Sequence, residues 1–196
     1  SHTGKINTHL RIDNESLFLN EKLPDGISID IVNPKDLDSL DAKIQKNIGK
    51  IAKIDNDYFI SENTQKFNQL ILIKVKENYI VRPNLELDIN VSKKIELNSR
   101  FFIYSGEKST SSIQINWNES SGSINSVFEF YIDKKSDMNL LITNNRENVV
   151  DIINYAFQME KESNLKTTFV SLGKQILKND IRINLLGQKA KADIGG

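Results

Sequence analysis

From Leu70 almost to its C-terminus this chain carries short apolar runs with a two-residue period and no stretch long enough for an ordinary helix. The runs are Leu85 to Val91, Arg100 to Tyr104, Ser111 to Trp117, Val127 to Ile132, Met138 to Thr143, Ile152 to Gln158, Lys166 to Leu172, Ile181 to Leu186 and Ala190 to Ile194. They recur at intervals on the order of a dozen residues, which confines this part of the chain to an all-β architecture. Two such architectures compete: a closed sandwich or barrel, and a parallel solenoid whose coils stack only on their neighbours. Asn-Gly and Asp-Gly hairpin signals are scarce after Leu85, and the connections are polar and varied in length, as in Glu119-Ser120-Ser121-Gly122-Ser123. That favours the solenoid, although no short motif repeats strictly from coil to coil.

The segment before Leu70 reads differently. Leu10 to Asn20 alternates, and the Leu23-Pro24-Asp25-Gly26 turn leads into Ile27 to Ile31, which predicts a short strand pair. Asn33-Pro34 is an N-cap followed by Pro at the first helical position, and Leu37, Leu40, Ile44 and Ile48 continue one helix to a C-cap at Gly49. A second helix is expected over residues 57–68, with Tyr58, Phe59 and Phe67 as its apolar side chains. Leu70 to Val75 and Tyr79 to Val81 then flank Glu77-Asn78, which reads as a hairpin turn, and Pro83 ends the second strand. The expected fold is therefore mainly β: an α/β segment over 1–69 followed by a parallel β-helix over 70–196. Ser1-His2-Thr3-Gly4 has no starting Met and reads as a cloning remnant.

Lys+Arg and Asp+Glu are both 26 among the 196 residues, so no global field favours a phosphate backbone and nucleic acid is not expected as a partner. No apolar run approaches the ~20 residues that span a bilayer, and no secretory pattern opens the chain, so a cytoplasmic protein without a membrane partner is expected. With no Cys, the chain has neither disulfides nor thiolate metal ligands, and it lacks the commonest nucleophile of sulfur transfer.

Two stretches of the last third carry a specific resemblance. Ile153-Asn154-Tyr155-Ala156-Phe157-Gln158 is followed by a polar segment and Lys166-Thr167-Thr168-Phe169-Val170-Ser171-Leu172-Gly173; then come Lys178-Asn179-Asp180, Gly187 and Ala190-Lys191-Ala192-Asp193. In this order they resemble the SufB/SufD family of iron–sulfur cluster assembly proteins, where Arg-Asn-Asp commonly stands at the place of Lys178-Asn179-Asp180. Phe59 to Asn63, Pro83 and Leu85 resemble the family's approach to its solenoid. The resemblance implies a right-handed parallel β-helix between helical terminal regions, the C-terminal one docking the SufC ATPase, with SufD-like chains paired to SufB-like chains through the solenoid. The chain is most like a SufD core fragment, cut short at its C-terminus, since the cysteines looked for in a SufB-like chain are missing.

Weighed residue by residue, no catalytic, cofactor-binding or metal-binding residue is assigned. His2 and His9 are the only imidazoles and lie outside any metal-ligand spacing. Asp55, Asp57, Asp133 and Asp137 read as turn residues rather than as the carboxylates of a sugar-cleaving site. Lys178-Asn179-Asp180 reads as a corner, and Gly173 and Gly187 as corner glycines that permit positive φ rather than a phosphate loop. Phe101, Phe102, Phe128, Phe130 and Tyr131 read as core, and Trp117, between Asn116 and Asn118, as half-exposed.

The expectation is a non-catalytic scaffold subunit, SufD-like, working with SufB-like and SufC-like partners. It would hold no cofactor of its own, an iron–sulfur cluster residing transiently on the parent complex. The rival reading is a carbohydrate-binding or carbohydrate-active β-solenoid. An uncovered last coil is also expected to favour a homodimer through the solenoid end.

Overall fold

The computed structural model describes residues 8–13, 16–19, 23–53, 57–67, 70–82, 84–90, 96–118, 122–147, 149–172 and 176–196. The N-terminal part comprises β1 (Thr8–Asp13), β2 (Ser16–Leu19), β3 (Ile27–Val32), a 3-10 turn (Pro34–Ser39), α1 (Ala42–Asn47) and α2 (Tyr58–Lys66). There follow β4 (Leu70–Val75), β5 (Leu85–Asn90), β6 (Glu96–Ser105), β7 (Thr110–Asn118), β8 (Ser123–Ile132), β9 (Asp137–Asn144), β10 (Val150–Met159), β11 (Asn164–Ser171), β12 (Ile176–Leu185) and β13 (Lys191–Gly195). From β4 on, successive strands alternate between two sheets. One runs in the order β13-β11-β9-β7-β5-β1-β2 (sheet A), the other β12-β10-β8-β6-β4-β3 (sheet B). Every pairing among β4 to β13 is parallel, so the chain winds as a β-solenoid of about 4 turns.

After wider first turns, in which Leu70 pairs with Arg100 and Leu85 with Ile113, the coil settles into a regular step. Glu96 pairs with Ser123, Asp137 with Asn164 and Asn164 with Lys191, each 27 residues apart. Lys108, Lys135, Glu162 and Lys189 mark the same step at one corner, each with φ between 55° and 60°. In each corner the residue after the left-handed one donates its N–H to a carbonyl three residues back: Ser109 to Gly106, Ser136 to Asp133, Ser163 to Glu160, Ala190 to Gly187. The left-handed residue itself donates to the next coil, as in Lys108 to Lys134 O at 2.9 Å and Lys135 to Lys161 O at 3.0 Å. The corners thus form a ladder of their own, and buried backbone groups are satisfied at every turn.

Between the sheets lies an apolar core built by in-register stacking. Phe101 stacks on Phe128 at 4.2 Å and Phe130 on Phe157 at 4.5 Å. Trp117 is fully buried there and donates its Nε1–H to the Tyr155 hydroxyl at 3.1 Å. Its flanking asparagines point the other way, as period two requires, so the half-exposed reading is corrected.

Three local expectations are also corrected. The Leu10 to Asn20 stretch does not pair with Ile27 to Ile31. It contains β1 and β2, which pair with each other, while β3 joins the other sheet against β4. Glu77-Asn78 is a coil corner, not a hairpin turn: Asn78 N–H donates to Glu107 O, and Ile80 bridges Thr110 in parallel. The single helix expected from Asn33 to Ile48 is two. Leu40 turns extended (ψ 161°), and the Asp41 side chain caps a new start by accepting from Lys43 N–H at 2.9 Å. Gly49 does follow the end of α1 with φ +74°, as its C-cap reading requires. Pro83 and Gly173 lie outside the described residues.

Candidate functional site

The N-terminal segment decides which faces of the solenoid are available. Along sheet B, Leu70, Leu72, Phe102, Val127, Tyr131 and Ala156 face outward and are buried, because Ile44, Ile51, Ala52 and Ile60 pack over them. A charged pair lies within this outer layer. Arg100 and Glu129 are both almost fully buried, with Nε donating to Oε2 at 3.2 Å. Glu129 also accepts the N–H groups of Gly49 (2.8 Å), Ile51 (3.1 Å) and Ala52 (2.9 Å), so one strand carboxylate collects the donors left over after α1.

Around this layer the acidic residues singled out in the sequence part company. Asp133, buried at the β8 corner, accepts from Lys43 Nζ at 2.6 Å and from the Tyr104 hydroxyl at 2.9 Å. Burial pushes the Asp133 carboxyl upward, but the bonds from Lys43, the Lys134 N–H and Tyr104 outweigh it and hold the group below its usual value. Lys43 is raised in turn, chiefly by its hydrogen bond to Asp133. Tyr104 and Tyr131 are raised by burial, with Asp133 and Glu160 respectively adding to the effect. Asp57 caps α2 through Phe59 and Ile60 N–H and pairs with Arg182 at 2.9 Å. Asp137 accepts from Asn164 across the coil at 2.7 Å. Each carboxylate therefore has a separate local task, and the structure does not bring Asp57, Asp133 and Asp137 together. Asp55 and His2 lie outside the described residues, and His9 falls in β1, of which the backbone alone is described. Among the described residues no group of three or more His, Asp or Glu side chains could hold a metal ion.

Lys178-Asn179-Asp180 is not a corner. The three residues sit within β12, with Lys178 over the Phe59 ring at 5.0 Å, Asp180 bound to Arg182 at 2.6 Å, and Asn179 turned inward beside Tyr155 and Phe169. Gly187 does stand at a corner, but it is not among the positive-φ glycines. A Cβ there would run into the Lys161 backbone, so the requirement is close approach of two coils.

Among the described residues, β12 and β13 stand at one end of the stack. Each pairs on one side only, with β10 and β11. Leu172 and Ile176 are 74% and 72% exposed, and Leu185, Leu186 and Ile194 are exposed as well. Strand edges with large apolar side chains can take up a further strand, from a following coil or from another chain. No helix among the described residues is long and apolar enough to cross a membrane.

Compared with known families, residues 89–196, more than half of the chain, match the model described as SUF system FeS cluster assembly, SufBD core domain. No curated protein sequence matches.

Proposed function

The chain belongs to the SufBD core family of the SUF system for iron–sulfur cluster assembly, and from this we propose that it serves there as a non-catalytic, SufD-like scaffold. The observation that carries the reading is the stack of parallel strands, most of which lies within the stretch that matches the family model. A rigid wall of stacked coils can take a partner solenoid alongside it, which the reading identifies as SufB-like, with a SufC-like ATPase completing the assembly. The lack of cysteine in this sequence supports the SufD-like over the SufB-like reading, in which the cluster is cargo of the assembly. The protein works in the cytosol on this view.

The full chain, co-expressed with SufB-like and SufC-like proteins under reducing conditions, is expected to co-purify with them. Charged substitutions at exposed residues of β12, Ile176→Lys with Leu185→Lys, are expected to abolish co-purification while leaving the circular dichroism unchanged. A wild-type chain that stays alone, or one that retains its partners after both substitutions, overturns the reading.

A further inference from the structure

The segment that covers sheet B is held down in two unlike ways. Within residues 44–52, Ile44, Ile51 and Ala52 are buried against Leu70, Leu72, Phe102, Tyr131 and Ala156, and Glu129 takes three of the backbone N–H groups. Helix α2 is different. It buries Ile60 and Asn63, with Phe67 packed at its C-terminal end, and polar bonds to the sheet add to these contacts. Asn63 Nδ2 donates to Ser99 O (3.0 Å) and Asn125 O (2.8 Å), Asn125 Nδ2 to Phe59 O, and Arg100 Nη1 to the Thr64 hydroxyl. At its N-terminal end it is tied to β12 by the Asp57–Arg182 pair, whose arginine is 37% exposed.

On the outer face of sheet B several buried polar atoms have no hydrogen-bond partner among the described residues: Asn98 Oδ1, Arg100 Nη2, Asn125 Oδ1 and both amide atoms of Asn154. Arg100 Nη2 is within ion-pair range of Glu129 but not aligned for a hydrogen bond. Asn154 is 2% exposed and lies in register between Val127 and Asp180, the carboxylate bound to Arg182. Groups of this kind lose their water when the helix is down and gain no partner in exchange, so lifting the helix restores their solvation. The apolar side chains that oppose the movement are Ile60 and Phe67.

We propose that α2 is a flap: it opens from sheet B as a unit while residues 44–52 stay anchored, and it uncovers a polar strip running along Asn98, Arg100, Asn125 and Asn154. The helix is closed by charge at one end and by amide bonds at its middle, and the unsatisfied strip beneath keeps the closed state shallow. The device is independent of the family's scaffold role. It gives the solenoid a second face whose availability follows the state of one short helix.

Amide exchange followed by NMR on the full chain tests this. The helix amides of Ser61 and Phe67, which donate to Asp57 O and Asn63 O, are expected to exchange at least tenfold faster than Ile51 and Ala52. Arg182→Ala is expected to speed exchange in α2 severalfold without changing Ile51 or Ala52. Asn154→Leu, which fills similar space with no polar atom to satisfy, is expected to slow α2 at least threefold. Equal protection of α2 and residues 51–52 in the wild-type chain, or their acceleration in step in Arg182→Ala, overturns the proposal. So does faster α2 exchange in a folded Asn154→Leu variant.

Discussion

The carboxylate of Glu129, fully buried on β8, accepts the backbone N–H of Ala52 at 2.9 Å across 77 residues of sequence. This bond, with those to Gly49 and Ile51, fastens the N-terminal segment to the solenoid wall. Removing the carboxylate in Glu129→Ala strands the Arg100 charge and three backbone donors together. The expected loss is about 3–5 kcal/mol, the range for breaking a buried pair from one side. Arg100→Leu with Glu129→Leu is expected to remain well below wild type, because an apolar pair relieves the charge but not the N–H groups. Urea unfolding monitored by the fluorescence of Trp117, the only tryptophan and fully buried, reads both. Recovery to wild-type stability in the double variant would show that the backbone bonds matter little.

Two glycines that look alike in sequence differ in what they tolerate. Gly187→Ala drives a Cβ into the Lys161 backbone and is expected to disrupt the last corner, at a cost of several kcal/mol or loss of the β13 pairing. Gly49→Ala meets open space and is strained by its φ of +74° alone, so about 1–2 kcal/mol is expected. Thermal unfolding of the two variants side by side checks the order, and a milder effect at Gly187 would contradict it.

Lys135 holds φ +55° at a coil corner where a residue without Cβ would be unstrained. Lys135→Gly trades roughly 1–2 kcal/mol of left-handed strain against roughly 0.5–1 kcal/mol of chain entropy. A net gain between zero and about 1.5 kcal/mol is expected, whereas Lys135→Val, β-branched at the same φ, is expected to destabilise. Denaturation midpoints with unchanged slopes would establish both signs.

Asp133 has a folded-state value below the usual 3.8, so it releases its proton more readily folded than unfolded. Its contribution to stability is therefore complete above that usual value and is lost as pH falls through it toward the lowered folded-state value. Asp133→Asn is expected to be less stable than wild type at neutral pH, with the gap closing as pH falls below about 4. A gap that stays constant down to acid pH would remove the charge from the explanation.

Strand content was legible because nothing but period two fits the runs from Leu85 to Ile194, and the solenoid followed from the shortage of hairpin turns. The Asn33 cap and the helix begun by Asp57 were legible for local reasons: short polar side chains before apolar residues bind the first free N–H groups. The 27-residue step was not recognised, because its left-handed corners are Lys108, Lys135, Glu162 and Lys189 rather than glycine. Ser109, Ser136 and Ser163, each following a charged pair at the same interval, were the available signal. Trp117 was misjudged by looking at its neighbours instead of its alternation. The Arg100–Glu129 pair, the polar seam under α2 and the open edge at β12 depend on which strand lies beside which, and no local pattern announces them.

The regular step between coils has a consequence for how such a gene tolerates change. One codon gained or lost inside a strand would turn inner side chains outward as far as the next corner, driving Phe128 or Tyr155 against the N-terminal cover and Glu129 into the interior. The stack itself absorbs a difference of one: β10 and β12 pair with an offset of 26 while the corners keep 27, the slack being taken up near Leu186 and Gly187, whose N–H groups both reach Met159 O. Length variation is thus expected to survive selection at the corners, or as the gain or loss of an entire coil.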